Sequence, residues 1–270
     1  MKECFEQYFF EKGIEYFAAL DYSDCRVTNM KIAQRDKITP RSVIIYLLPY
    51  YAGETVNLSR YAASFDYHLM IAEVNRGIKE LLGKEYPGSI AVGYGDHSPI
   101  DERHAAIIAS LGIAGDNGLL INEKYGSYVF IGDVVTDIDP LLLDVAKPAK
   151  VLRCESCGAC RRACPTGILR GDGDACLSAI TQRKGELLDS EISLMRKYNT
   201  VWGCDECQSA CPHNRNPRIT PIEFFHKDRI PRLTREILDS MDEDSFGKRA
   251  FAWRKRATVE RNLKLVDYEK

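Results

Sequence analysis

Cys154-Glu155-Ser156-Cys157-Gly158-Ala159-Cys160-Arg161-Arg162-Ala163-Cys164-Pro165 spaces four thiols as C-x2-C-x2-C-x3-C-P. Three thiolates two residues apart wrap one face of an iron-sulfur cubane, whose soft irons favour sulfur, while the fourth points away to ligate another cluster. A second set is therefore required, and it is present as Cys176 followed by Cys204-Asp205-Glu206-Cys207-Gln208-Ser209-Ala210-Cys211-Pro212. Exchange of the fourth ligand predicts one [4Fe-4S] cluster on Cys154, Cys157, Cys160 and Cys211, and a second on Cys164, Cys176, Cys204 and Cys207. Structural zinc is the competing reading, because paired C-x2-C motifs also build zinc ribbons. Tetrahedral zinc gives no reason for a third and fourth cysteine in one short run before Pro165. Cys4 and Cys25 stand alone and receive no role.

A second candidate is Asp96, in Gly95-Asp96-His97-Ser98-Pro99. It follows an expected strand, and strand ends in open α/β sheets are where ligands commonly sit. Burial that raised its pKa would make it a general acid; capping of the next helix is the alternative. Asp66-Tyr67-His68 is similar to the start of D-x-H-x-x-G, which gives a histidine to cobalt in some corrinoid enzymes, but position 71 is Ile. Gly93-Tyr94-Gly95 opens as G-x-G and then continues with Asp96-His97-Ser98, so the dinucleotide fingerprint fails.

These groups need a scaffold. Arg41 to Pro49 reads as a buried strand closed by proline, and Tyr67 to Leu82 carries apolar residues at helical spacing. Ser89 to Tyr94 reads as a strand, and Asp101 to Leu111 as a helix ended by Gly112. Leu119 to Asn122 and Ser127 to Ile131 read as short strands joined by a hairpin turn at Glu123-Lys124-Tyr125-Gly126. Pro140 and Pro148 mark a boundary. The chain thus divides into an α/β domain over residues 1–148, a cluster module over 149–216 and a basic helical tail over 217–270. The tail's dense segment runs from Lys248 to Arg261 and includes Arg249, Arg254, Lys255 and Arg256.

Composition limits the options. With 270 residues, 45% of them hydrophobic, the chain can bury a sizeable core. Eight of the ten cysteines fall between Cys154 and Cys211, whereas a disulfide framework would spread them. A formal charge of -2 excludes a polycation, so nucleic-acid contact needs a local basic patch. No apolar run approaches the roughly 18 residues of a membrane span, and the expectation is a cytoplasmic protein with reduced thiols.

Over most of residues 37–216 the chain resembles the epoxyqueuosine reductases, cobalamin-dependent iron-sulfur enzymes of queuosine biosynthesis in tRNA. The segment Ser59-Arg60-Tyr61-Ala62-Ala63-Ser64-Phe65-Asp66-Tyr67-His68 carries the first part of the likeness. Asp96, Glu102-Arg103, Gly112-Ile113, Asn117 and Gly126-Ser127-Tyr128-Val129 carry the second. The third and most specific part is the first cysteine run through Gly167, then Cys176-Leu177-Ser178 with Thr181-Gln182, and Gly203-Cys204-Asp205-Glu206-Cys207-Gln208 through Cys211-Pro212.

The resemblance implies an α+β molecule, with a nitroreductase-like cobalamin-binding α/β domain followed by a ferredoxin-like double [4Fe-4S] module. Cobalamin would be held base-off above the nearer cluster. The aspartate matching Asp96 is the family's proposed proton donor to the opening epoxide. Lys37, Ser59, His68, Leu120, Ile121, Asn122, Ile131, Ser178 and Asp205 are the implied cofactor contacts, with Lys37 standing where the family usually has arginine. Implied partners are tRNA, through the basic tail, and an external low-potential electron donor such as ferredoxin or flavodoxin; no membrane is implied.

The chain departs from the family at Asp116, where a lysine is common, and ends at Lys270, ahead of the family's helical repeats. Two other readings follow from these departures: a non-catalytic electron-transfer protein, and a paralogue reducing a different small molecule.

Overall fold

The computed structural model describes residues 2–267. The chain forms two compact units, one of Met1–Pro49 with His68–Ser156, the other of Tyr50–Tyr67 with Cys157–Lys270.

The first unit runs α1 (Lys2–Glu11), β1 (Phe17–Asp21), α2 (Met30–Arg35), β2 (Ser42–Pro49), α3 (Tyr67–Glu85), β3 (Ala91–Tyr94), α4 (Glu102–Ile108), β4 (Ile113–Ala114), β5 (Leu120–Ile121) and β6 (Val129–Thr136). Four strands make an antiparallel sheet in the order β1-β2-β6-β3. The run Val43-Ile44-Ile45-Tyr46-Leu47-Leu48 places β2 inside it, buried along its whole length. Alternation sends Val43, Ile45 and Leu47 to one face, where they join Ile107 and Ile108 of α4 in a single core. On the opposite face Tyr46 lies over Gly132 of β6, and its hydroxyl donates to Asn75 Oδ1 of α3 at 2.8 Å. The expected strands at Arg41–Pro49 and Ser89–Tyr94 and the helix from Tyr67 are present within a few residues.

The expected hairpin forms only at its turn. Asn122 and Gly126 exchange backbone bonds of 2.8 and 3.0 Å, but β5 then pairs with β4, while β6 runs on into the main sheet. That strand carries an acid in its apolar run, Asp133, level with Ile45 of β2 and Tyr94 of β3.

The second unit contains α5 (Ala159–Ala163), α6 (Leu177–Thr181), α7 (Asp189–Lys197), α8 (Glu206–Ser209), α9 (Arg235–Ser240), α10 (Glu243–Gly247) and α11 (Arg256–Val266). Its core gathers Leu58, Val201, Trp202, Leu233, Phe251 and Val259. Trp202 is fully buried and donates its indole N–H to the Tyr61 hydroxyl at 3.0 Å. Asn262 on α11 is buried and donates to Thr181 and Val201 carbonyls at 2.7 and 2.8 Å. Residues 217–267 therefore pack into the same unit as the second cysteine set, as do Tyr50–Tyr67, and the first break after the sheet falls at Ser156 rather than at residue 148. The large side chains flanking the cysteines, Trp202 above all, draw these segments together, and loop composition does not reveal that. Among the described residues no helix is long and apolar enough to cross a membrane.

Candidate active site and cluster ligands

Close packing of α3 against β3 fixes the approach to Asp96. A Cβ on Gly93 would lie 2.5 Å from the Asn75 side chain, so the strand needs glycine there for contact with the helix, not for phosphate. Beyond the strand Asp96 turns the backbone through a positive φ. That left-handed corner is one aspartate tolerates better than most residues. The capping alternative goes elsewhere: Asp101 caps α4, its carboxylate accepting His104 N–H at 3.0 Å. The Asp96 side chain is 60% exposed, and its Oδ2 lies 3.5 Å from His68 Nε2 in the first turn of α3. Asp96, Glu102, Arg103, Leu120, Phe130 and Ile131 line a cavity of about 500 Å³.

Behind this cavity two carboxyls meet. Asp133 is entirely buried, and its Oδ2 accepts the Ser98 hydroxyl at 2.9 Å. Glu102 is in hydrogen-bonding reach of Asp133 and also accepts the backbone N–H of Asp96. Burial first, then the charge of Asp133, pushes Glu102 up to about 9, and burial raises Asp133 as well. Spacing assigns Glu102 no role and passes over Asp133, whose one signal is an acid inside Phe130-Ile131-Gly132-Asp133-Val134-Val135.

Backbone N–H groups face the sulfur of Cys154, Cys164 and Cys204. Cys154 N–H donates to Ala114 of β4 at 2.9 Å, and Asp116 N–H donates to Cys154 Sγ at 3.4 Å. Ser156 donates its hydroxyl to the Asp116 carboxylate at 3.2 Å. Burial opposes ionisation of Cys164, yet N–H groups of Leu169, Thr166 and Gly167 and the Thr166 hydroxyl hold its thiol below the usual range. Helix α5, carrying Cys160, packs on α8, carrying Cys207. Burial pushes the Cys204 thiol up to about 12 against a bond from Glu206 N–H, and Cys176 and Cys207 act on it next. Three of the four ligands expected for the second cluster are thus brought together. Among the described residues no three His, Cys, Asp or Glu converge as on a single metal ion; a cubane spreads its ligands around four irons.

The other expected contacts divide. Leu120 and Ile131 share the cavity with Asp96, and His68 adjoins it. Ile121 is core, and Asn122 spends its side chain on a turn, donating to Leu111 O and accepting from Lys124 and Tyr125 N–H. In the second unit Ser59 donates to Asp205 at 2.5 Å, Arg60 N–H donates to the same carboxylate at 2.7 Å, and both Ser59 and Asp205 line a cavity of about 130 Å³ with Cys204. Ser178 accepts from Gln182, and Lys37, exposed just past α2, lines neither cavity.

The basic tail is less available than its composition suggests. Arg249 is buried over the Phe65 ring and donates to Asp228 O at 2.7 Å; Arg256 donates to Leu238 and Met241 carbonyls; Arg261 bonds Asn262 and Gly185.

Residues 153–214 match the family described as 4Fe-4S double cluster binding domain. An epoxyqueuosine reductase from Listeria monocytogenes is 32% identical over 219 residues, which is 77% of this chain and 56% of that protein. One from Cyclobacterium marinum is 33% identical over 225 residues, covering 77% of this chain and 69% of its own length. The chain thus matches little more than half of the Listeria relative. A solved epoxyqueuosine reductase with a tRNA-Tyr epoxyqueuosine-modified stem loop superposes with a TM-score of 0.77 at 22% identity, over 98% of this chain and 80% of that one. The fold is shared with that structure, the double-cluster segment is intact, and the sequence likeness runs through more than two thirds of the Cyclobacterium protein: the chain belongs to the epoxyqueuosine reductase family.

Proposed function

We propose that the chain is a cobalamin-dependent iron-sulfur reductase that converts the epoxide of epoxyqueuosine in tRNA to queuosine, with Asp96 as the proton donor. The observation that carries this reading is the carboxyl of Asp96, released from helix capping by Asp101 and set beside a cavity that also holds Leu120 and Ile131.

The residues fit the implied groups. Eight cysteines supply the thiolates of two clusters, and N–H donors aimed at Cys154 and Cys164 stabilise ligand sulfur of the kind clusters carry. Leu119, Leu120, Val129, Phe130 and Ile131 give the cavity an apolar floor for a flat macrocycle, with His68 beside Asp96 at its edge. When bound, cobalamin and the clusters supply low-potential electrons from an external donor such as ferredoxin or flavodoxin.

Removing an epoxide oxygen as water consumes two electrons and two protons. Asp96 delivers a proton to the oxygen as its C–O bond breaks, so that no bare alkoxide has to leave. His68, 3.5 Å from Asp96 Oδ2, orients the carboxyl and is placed to return a proton to it. For the tRNA, the tail offers the exposed Trp253 ring, with the Arg254 guanidinium lying over it. Such a ring is a surface on which an unpaired base can stack. A cytoplasmic location suits the reduced thiols of the cluster loops.

The test is an anaerobically reconstituted protein given cobalamin, a reductant and an epoxyqueuosine stem loop, with the nucleoside product read by mass spectrometry. Conversion is expected, and Asp96→Ala lowers turnover by at least about 100-fold while the cob(II)alamin and cluster EPR signals persist. Loaded wild-type protein that converts nothing would refute the reading; full turnover in Asp96→Ala would remove the proton-donor role.

A further inference from the structure

We propose that Glu102 and Asp133 share a single proton and form a latch that holds Asp96 in its working position, Glu102 acting as a positioning residue. This rests on the reductase reading above for its catalytic consequence, though not for the existence of the latch.

Glu102 opens α4 and lines the cavity; Asp133 stands in the middle of β6 with no solvent exposure. One oxygen of each, Glu102 Oε1 and Asp133 Oδ1, is buried without any donor from the rest of the protein. Both are acceptors when ionised, so two carboxylates facing each other would leave both atoms unsatisfied and like charges in contact. One proton between them repairs both faults: neutral Glu102 donates O–H to ionised Asp133.

The groups acting on the pair do not offer another remedy. They are Asp96 from the loop, Tyr22 and Cys25 following β1, Tyr46 of β2 and Tyr94 of β3, none of which is a cation at neutral pH. The Ser98 hydroxyl completes the set by donating to the second oxygen of Asp133.

What the pair holds is the Asp96 corner. The carbonyl side of a neutral Glu102 accepts Asp96 N–H, and Asp133 anchors Ser98 two residues on, so the segment from Asp96 to Glu102 is tied to the sheet at both points. An aspartate held at positive φ needs such restraint. Its relaxed conformations would swing the side chain elsewhere. Loss of the shared proton would put two buried carboxylates together and push Glu102 out toward the cavity, taking the Asp96 N–H anchor with it.

The decisive comparison is among wild type, Glu102→Gln, Glu102→Ala and Asp133→Asn. Infrared spectra of the purified chain, with no turnover required, should show the carbonyl stretch of a buried protonated carboxyl at neutral pH that disappears above about pH 9 and is absent in Glu102→Gln. In the reconstituted holoenzyme Glu102→Ala should lower kcat about tenfold or more with cobalamin content unchanged. Asp133→Asn, which removes the charge that the proton answers, should move the loss of the band to lower pH. Glu102→Gln, whose amide reproduces both hydrogen bonds, should recover most of the neutral-pH rate and lose the wild-type decline above about pH 9.

Absence of the protonated band overturns the latch, as does a Glu102→Gln variant as slow as Glu102→Ala. If Glu102→Ala does not fold, the infrared band and Glu102→Gln still decide. A wild type that shows the band yet reduces no epoxide supports the latch and refutes the reductase reading, so the two failures are distinguishable.

Discussion

Asp116 occupies a position where a small charge change has a calculable effect. Its N–H donates to Cys154 Sγ, and its carboxylate accepts the Ser156 hydroxyl, so negative charge stands beside a cysteine expected to hold a cluster. Reduction of a cluster adds an electron against that charge, and the carboxylate therefore lowers the potential. Asp116→Asn keeps the N–H bond and removes the charge; the midpoint potential of one cluster should rise by on the order of 50–100 mV, the scale Coulomb's law sets for a nearby charge at an effective dielectric of about 20. An EPR-monitored redox titration reads this directly, and an unmoved potential would show that solvent screens the carboxylate. Residues like these differ sharply in how well the sequence exposes them. The cysteines expected to hold the clusters stand out because their local spacing can be read directly. Asp96 stands out as a candidate from its place after a strand, and the structure gives the cap of α4 to Asp101. The Glu102–Asp133 contact is not legible, because the packing of α4 on β6 creates it and no spacing rule links the two residues.

At the scale of elements, the sheet and α3 meet through an unusually tight contact. A Cβ on Gly132 would collide with the Tyr46 ring, which is fully buried and tethered through its hydroxyl to Asn75. The ring has no room to retreat, so Gly132→Ala should destabilise the chain by about 1–3 kcal/mol, the usual cost of overpacking a core. Urea denaturation would show a lower midpoint with an unchanged slope; an unchanged midpoint would mean that α3 shifts freely. The α4–β6 contact makes a separate prediction about pH. Glu102 and Asp133 both hold protons more tightly folded than unfolded, so the folded chain binds more protons from the ordinary carboxylate range up to about 9. Stability should therefore fall as pH rises through that window, and Glu102→Gln should flatten the fall; thermal melts across the range measure it. Strands β2 and β3 and helix α3 are readable because burial and period coincide in them. The β5–β6 pairing is misread because a tight turn at Asn122–Gly126 carries hairpin chemistry while the strands it joins belong to different sheets. Elements α1, β1 and α2, ahead of Arg41, escape identification, since α1 exposes Phe10 and α2 is only six residues long, so neither shows a clean stripe.

For the whole molecule, the assignment of arginines to structure or to RNA is the question that composition poses and cannot answer. The segment from Lys248 to Arg261 reads as a phosphate-binding stripe, yet Arg249, Arg256 and Arg261 are bonded to carbonyls within their own unit, and Lys248 pairs with Asp244. Guanidinium groups held by backbone oxygens stabilise the packing around Phe246, Phe251 and Trp202 and have little left for a phosphate. Trp253 is different: it is 55% exposed, and Arg254 stacks on its ring. An exposed aromatic backed by a guanidinium is a platform for an unstacked base, worth about 1–3 kcal/mol per base. Trp253→Ala should therefore weaken binding of an epoxyqueuosine stem loop about tenfold or more with no change in melting temperature. Arg249→Ala should do the reverse, lowering the melting temperature, because it leaves Asp228 O and the Phe65 face without their partner, and affecting RNA only through folding. Fluorescence anisotropy with a labelled stem loop, run beside thermal melts of both variants, separates the two roles. Equal losses of affinity would return the tail to a diffuse basic grip; unaltered affinity in Trp253→Ala would move RNA recognition off this segment altogether.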